Sequence, residues 1–281
     1  MYADDIQLYS TCLSTNLDQK TLRCESCITD IKKWMCLNKL KLNDDKTEVL
    51  LVGSRRNTMN IPSLCLKVDD TIVHHTKTVR NLGTVLDSDL GMEQQVCSLR
   101  KKLIFELKKI STIRPFITRT ACQQLVSSLL FSKLDYCNAL MFGASADKIK
   151  RLQTIQNNAA RLILRKRRRE EATPLLVQLH WLPVEARIKF KAATLVYKCL
   201  DNSAPEYLQG IIQLYQPSRT LRSSMDNLIL QVPKSHLKAG DRRFAHFGPI
   251  IWNDLPLKLR RAESVATFKK NLKTYFFSMY F

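Results

Sequence analysis

Near Asp89 the spacing of apolar residues changes from two to about 3.6, and this change sorts the chain into a sheet-forming part and a helical part. Before it, Ile6, Leu8 and Tyr9 follow a tight turn as a short strand, and 17–39 reads as an amphipathic helix. Leu17, Leu22, Ile28, Ile31 and Met35 supply that helix's apolar positions, with Trp34 near its end. Residues 47–52 read as a strand ending at Gly53, followed by a basic loop at 54–57. Segments 64–68 and 71–73 flank the turn pair Asp69-Asp70 and predict a hairpin, and 79–86 reads as a further strand. After the change, Val96, Leu99, Leu103, Leu107 and Ile110 line one helix face until Pro115 ends it.

A second helix is predicted near 118–133, carrying Leu125, Val126, Leu129 and Leu130. A third, at 145–166, carries Ile149, Leu152, Ile155, Ala159 and Ile163. Thr173-Pro174 reads as a helix cap with proline in the first turn, and Pro183 opens a helix bearing Ile188, Ala192, Leu195, Val196 and Cys199. Residues 218–247 read as loops with one short strand at 228–232. Ser264 reads as the cap of a last helix with Val265, Phe268, Leu272, Tyr275 and Phe276 on its buried side.

The charge balance narrows the partners. Among 281 residues, 45 Lys and Arg stand against 25 Asp and Glu, a net charge of +20 that favours a polyanion, nucleic acid first. No apolar run approaches the length that spans a bilayer, and Asp4 and Asp5 stand where a signal peptide would be positively charged. The expected location is therefore cytoplasm or nucleus, not secretion. The 9 Cys are scattered and read as buried thiols. Cys24 and Cys27 share a helical face without a second zinc half-site, and His74-His75 in a strand point to opposite faces. With only 7 Gly, no glycine-rich phosphate loop is present.

Tyr2-Ala3-Asp4-Asp5 is the chemically pointed segment. Adjacent carboxylates on a turn repel, and a hard divalent cation such as Mg²⁺ resolves the repulsion. Other blocks follow in order: Leu42-Asn43-Asp44-Asp45-Lys46-Thr47-Glu48, then Asn81-Leu82-Gly83-Thr84-Val85-Leu86-Asp87, then Leu134-Asp135-Tyr136-Cys137-Asn138. Further on come Leu152-Gln153-Thr154-Ile155-Gln156-Asn157-Asn158-Ala159-Ala160-Arg161, Leu179-His180-Trp181-Leu182-Pro183-Val184 and Phe247-Gly248-Pro249-Ile250-Ile251-Trp252-Asn253-Asp254-Leu255-Pro256. This ordered set, with Phe268-Lys269-Lys270-Asn271-Leu272-Lys273 at its end, resembles the reverse transcriptase of non-LTR (LINE-class, jockey-like) retrotransposons.

The resemblance implies an α+β fold: a truncated polymerase palm sheet over 1–90, a helical thumb over 91–170 and a mainly helical C-terminal region over 171–281. It implies RNA-directed DNA polymerisation with Asp4 coordinating Mg²⁺, Asp5 beside it, and Lys46 near the departing pyrophosphate. Tyr2 would press toward the primer strand, and Asn81 and Gly83 would lie in a hairpin that supports the primer end. Arg165, Lys166, Arg167, Arg168 and Arg169 form a basic run suited to phosphate contact or nuclear import. The family places a further metal-binding Asp and the template-holding fingers well before the Asp4 turn. The expectation is thus a C-terminal piece that does not bind Mg²⁺ productively or polymerise alone. Its expected partners are an RNA template, an RNA–DNA duplex and a complementing retroelement chain. A non-catalytic RNA- or DNA-binding protein and an inert remnant are the alternatives.

Overall fold

The computed structural model describes residues 5–12, 14–53, 61, 64–68, 71–216, 228–235 and 237–281. Tyr2, Asp4, the basic loop at 54–57 and the turn pair Asp69-Asp70 lie outside the described residues. The chain is a mixed α+β protein whose residues gather into two compact units, 1–95 and 96–281.

In the first unit, helix α1 (Leu17–Leu37) occupies the predicted span. It ends in a left-handed Lys39 (φ 59°), with the Leu40 N–H returned to the Met35 carbonyl at 2.8 Å. None of its residues is buried, and Trp34 is 55% exposed. Polar ties hold it instead: Glu25 accepts the Lys67 N–H at 2.7 Å, and Lys32 lies 2.7 Å from Asp44.

Strands β1 (Val49–Leu50), β2 (Cys65–Val68) and β3 (Thr71–Thr76) form one sheet in the order β1-β3-β2. β1 is parallel to β3 with Val49 opposite His75, and β2 is antiparallel to β3 with Val68 opposite Thr71, the predicted hairpin. The strand expected over 47–52 is thus much shorter, because the 44–46 segment coils into a 3-10 turn closed by Thr47 N–H on the Asp44 carbonyl. The strand expected over 79–86 is in fact two, β4 (Thr78–Asn81) and β5 (Thr84–Asp87). Leu82 (φ 44°) and Gly83 (φ 82°) both take positive φ between them, the two-residue geometry that matches strand twist. A period-two pattern cannot reveal such a break when one turn residue is a leucine.

The second unit begins within helix α2 (Glu93–Ile113), whose Val96, Leu99, Leu103 and Ile110 are buried as their spacing predicts. Thr118 caps α3 (Arg119–Val126) by accepting the Ala121 N–H at 3.2 Å. The predicted 118–133 helix is interrupted: a π turn at Ser127–Phe131 separates α3 from α4 (Ser132–Asp135). There the Ser128 hydroxyl bonds back to the Gln124 carbonyl, a pattern that loosens helices. α5 (Ala146–Leu164) buries Leu152, Ile155, Ala159 and Ile163. α6 (Thr173–Gln178) has Ala172 in the cap position, so Thr173 is its first residue and not its cap.

α7 (Val184–Leu200) joins two hydrophobic clusters of this unit. Its Val184 and Ile188 belong to a cluster built on α2, α3 and α5, while Ala186, Ala192 and Val196 belong to one with Trp252, Phe268 and Leu272. After α8 (Glu206–Gln209), the expected strand at 228–232 reduces to an isolated bridge between Leu214 and Leu230. The end of the region expected to be loop is helical: α9 (Lys238–Asp241) lies within it, and α10 (Phe244–Asn253) begins in it and runs past its expected end at 247. The apolar residues of α10 close on α7 so tightly that a Cβ on Gly248 would lie 3.0 Å from Val196. After α11 (Leu257–Arg260), α12 (Val265–Tyr280) starts at Ser264, which accepts the Thr267 N–H at 3.2 Å as predicted. Tyr197 stacks on Phe268 with ring centroids 4.5 Å apart.

The cysteines depart from the expectation of buried thiols. Cys122 and Cys199 are buried, whereas Cys12, Cys27, Cys36 and Cys65 are exposed. α1 has no buried face to receive Cys27, so helical spacing alone misjudged it.

Candidate nucleic-acid interface

In the first unit, Asp5 is exposed at the start of an extended segment. Two residues on, Gln7 donates its side-chain N–H to Asn81 at 2.6 Å. The segment that follows Asp5 and the end of β4 are therefore neighbours at Gln7 and Asn81, although 74 positions separate these two residues. Gly83 is exposed at the hairpin turn beside Asn81. Lys46 ends the 3-10 turn with its side chain exposed and enters no ion pair among the described residues. Its block is tied down by neighbours instead: Asp44 by Lys32, and Glu48 by the Arg80 N–H at 3.3 Å. Sequence reading assigned no contact to Gln7 or Glu48, although Glu48 closes the Leu42–Glu48 block, because neither residue's partner is near it in the chain. No group of three or more His, Cys, Asp or Glu among the described residues is placed to hold a metal ion, so Asp5 belongs to none.

The basic run lies in the second unit. α5 stops at Leu164 because Arg165 turns left-handed (φ 53°), and the Lys166 N–H returns to the Arg161 carbonyl at 2.9 Å. Glu170 then closes the loop. Its carboxylate accepts the Arg167 N–H at 2.9 Å and faces the Lys166 ammonium at 3.3 Å. The Arg167 N–H first, and then Lys166, hold this carboxyl below the usual carboxylate range. From α5, Arg161 grips the Glu170 carbonyl with two N–H groups, at 3.0 and 2.8 Å. The base of the loop is thereby stapled, while the side chains of Arg167, Arg168 and Arg169 are exposed and form no close ion pair among the described residues, although the Arg167 charge also helps hold the Glu170 carboxyl down. Three guanidinium groups on a short, anchored loop can contact successive phosphates at little further ordering cost.

No residue pattern marks Arg114, which precedes Pro115. It is 7% exposed and donates to the carbonyls of Leu162, Ile117 and Ile163 at 3.0, 2.9 and 2.8 Å. It thus satisfies the end of α5 just where the basic loop departs.

Several blocks that carried the resemblance are tertiary ties. Asp135 receives two N–H groups from Arg187, and Asn138 donates to Asp135 at 3.3 Å. Asn253 pairs with both backbone groups of Leu230 at 2.9 Å, and the Trp252 indole donates to the Leu228 carbonyl at 2.8 Å.

No helix among the described residues is long and apolar enough to cross a membrane. Comparison of the whole chain with protein-family models, with characterised proteins and with solved structures finds no match.

Proposed function

We propose that this chain is a palm-to-C-terminus portion of a non-LTR retrotransposon reverse transcriptase, and that these 281 residues by themselves bind nucleic acid without polymerising it. The ordered motif set supports the lineage. The observation that carries the binding role is the anchored loop that exposes Arg167, Arg168 and Arg169 with no close ion pair among the described residues, in a protein of net charge +20. Backbone phosphates are the chemistry such a surface fits, and an RNA–DNA hybrid is the partner to which the lineage points.

Polymerisation by the two-ion route needs a carboxylate on a neighbouring strand in addition to Asp4 and Asp5. Bound there, Mg²⁺ would supply charge stabilisation on the reacting phosphates, with Asp4 and Asp5 as the residues that would hold it.

Binding is tested by titrating a labelled RNA–DNA hybrid against the chain at several salt concentrations. The logarithm of the affinity should fall linearly with log salt, and the Arg167→Ala/Arg168→Ala/Arg169→Ala variant should lose roughly 2 to 3 units of that slope. A salt-insensitive or variant-insensitive response would remove the binding role. A primer-extension assay with Mg²⁺ should show no incorporation. Template-dependent product that disappears in Asp4→Ala would make the chain a polymerase in its own right.

A further inference from the structure

At the base of the basic loop a cavity of about 470 Å³ opens where the start of α3 meets the end of α5. Arg114, Thr118, Arg119, Arg165, Lys166 and Gln178 line it, and none of its lining residues is a carboxylate. We infer that this cavity seats one phosphate group of the nucleic-acid backbone, an assignment that rests on the binding role proposed above and gives it a defined anchor.

Three features point to an oxyanion. The first is Arg114: 93% of its surface is withdrawn from water, yet its guanidinium faces only carbonyl oxygens and has no carboxylate partner among the described residues. A buried cation without a counter-ion is costly, and an anion in the adjoining cavity relieves that cost. The second is the start of α3. Thr118 takes up the Ala121 N–H with its hydroxyl and the Cys122 N–H with its carbonyl. The N–H groups of Arg119 and Thr120 are left without an intrahelical acceptor, at the positive end of the helix. The third is Arg165. A residue in left-handed conformation at a helix end is most often Gly or Asn, so a bulky cation is an unfavourable choice for closing α5 alone. Here it places a basic residue on the cavity wall, its guanidinium also donating to the Arg114 carbonyl at 3.4 Å.

Lys166 is shared. It lines the cavity while also facing Glu170 at 3.3 Å, so its charge is partly offset. Arg167 follows it directly in the chain, so the cavity and the three exposed arginines belong to one stretch of the loop. One backbone phosphate in the cavity would fix the register of that strand, which three exposed arginines cannot do alone.

Arg119→Ala tests the seat, because Arg119 is exposed and its removal leaves the Thr118 cap in place. A circular dichroism melt confirms that the variant folds. The expected result is roughly a five- to tenfold weaker hybrid affinity and a salt slope shallower by about one unit. Inorganic phosphate should also shift the Arg119 and Thr120 amide resonances of the wild-type chain, and the hybrid should compete for the same shifts. If the hybrid binds wild type and Arg119→Ala with equal affinity and slope while the triple loop variant weakens it, the cavity is not the seat although the binding role stands. If no hybrid binds to wild type, the binding role itself fails. Phosphate-induced shifts would then mark a site for the free ion, which overturns the backbone assignment.

Discussion

The side chain of Gln156, 1% exposed on α5, donates an N–H to the Leu182 carbonyl at 2.9 Å. One turn earlier Gln153 accepts the Val184 N–H at 2.8 Å. The two amides thus satisfy the backbone on either side of Pro183, where α7 starts and where no side-chain cap serves it. Gln156→Ala should cost about 2 kcal/mol, combining an unpaired buried carbonyl with lost packing volume. Urea unfolding would read this as a lower midpoint at constant slope.

Arg187 and Asp135 form a two-point pair, and the same guanidinium sits 4.3 Å above the centre of the Phe131 ring. Side-chain exposures of 19% and 39% limit what the charges contribute. A double-mutant cycle between Arg187→Ala and Asp135→Ala should give a coupling of about 1 kcal/mol. Arg187→Lys should recover less than half of it, since an ammonium provides neither the fork nor the flat stacking face.

Leu82 occupies positive φ in the β4–β5 turn without the freedom of glycine. Leu82→Asn should stabilise the hairpin by roughly 0.5–1 kcal/mol, because asparagine tolerates that conformation and leucine resists it. Gly83→Val, at φ 82°, should weaken it. Hydrogen exchange at the Asn81 and Thr84 amides would slow in the first variant and quicken in the second.

Glu170 carries a carboxyl lowered by the Arg167 N–H and then by Lys166. A lowered folded pKa contributes order that is complete above the unfolded value, about 4.3, and is lost as pH falls through the folded value. The Arg167 amide resonance should therefore stay constant from neutral pH to about 5 and move only in more acidic solution. Glu170→Gln should abolish that titration.

Burial raises the thiol pKa of Cys122 and Cys199, and both side chains are shielded. Ellman's reagent should modify Cys12, Cys27, Cys36 and Cys65 in the native protein and reach Cys122 and Cys199 only on unfolding.

Helix positions were legible wherever apolar spacing was long and regular. Val96 to Ile110 and Leu152 to Ile163 bury the faces their spacing marks, and Ser264 caps where a serine before an apolar run should. Short elements were not. Period-two spacing hid the break at Leu82, although the resemblance implied a hairpin at Asn81 and Gly83; neither the 3-10 turn that shortens β1 nor the left-handed turn at Arg165 has a cue in residue spacing. The helix over 244–253 was not expected: its first four residues fell in the predicted loop, and Gly248 within it serves a close approach to Val196 that only packing shows. At the candidate interface, the arginine run was visible as charge. Its anchoring by Glu170 and Arg161, and the cavity beneath it, were not.

By itself, then, the sequence determined the α+β character, the apolar faces of the long helices and the excess of positive charge, since each follows from residue type and spacing along the chain. Only the tertiary structure decided that Gln7 meets Asn81, that Gln156 meets Leu182, and that Arg114, Arg119 and Arg165 surround one cavity. These groupings join residues 26 to 74 positions apart or depend on a local turn of the backbone, and such contacts arise from packing and hydrogen-bond satisfaction between elements. No periodicity within a single element encodes them.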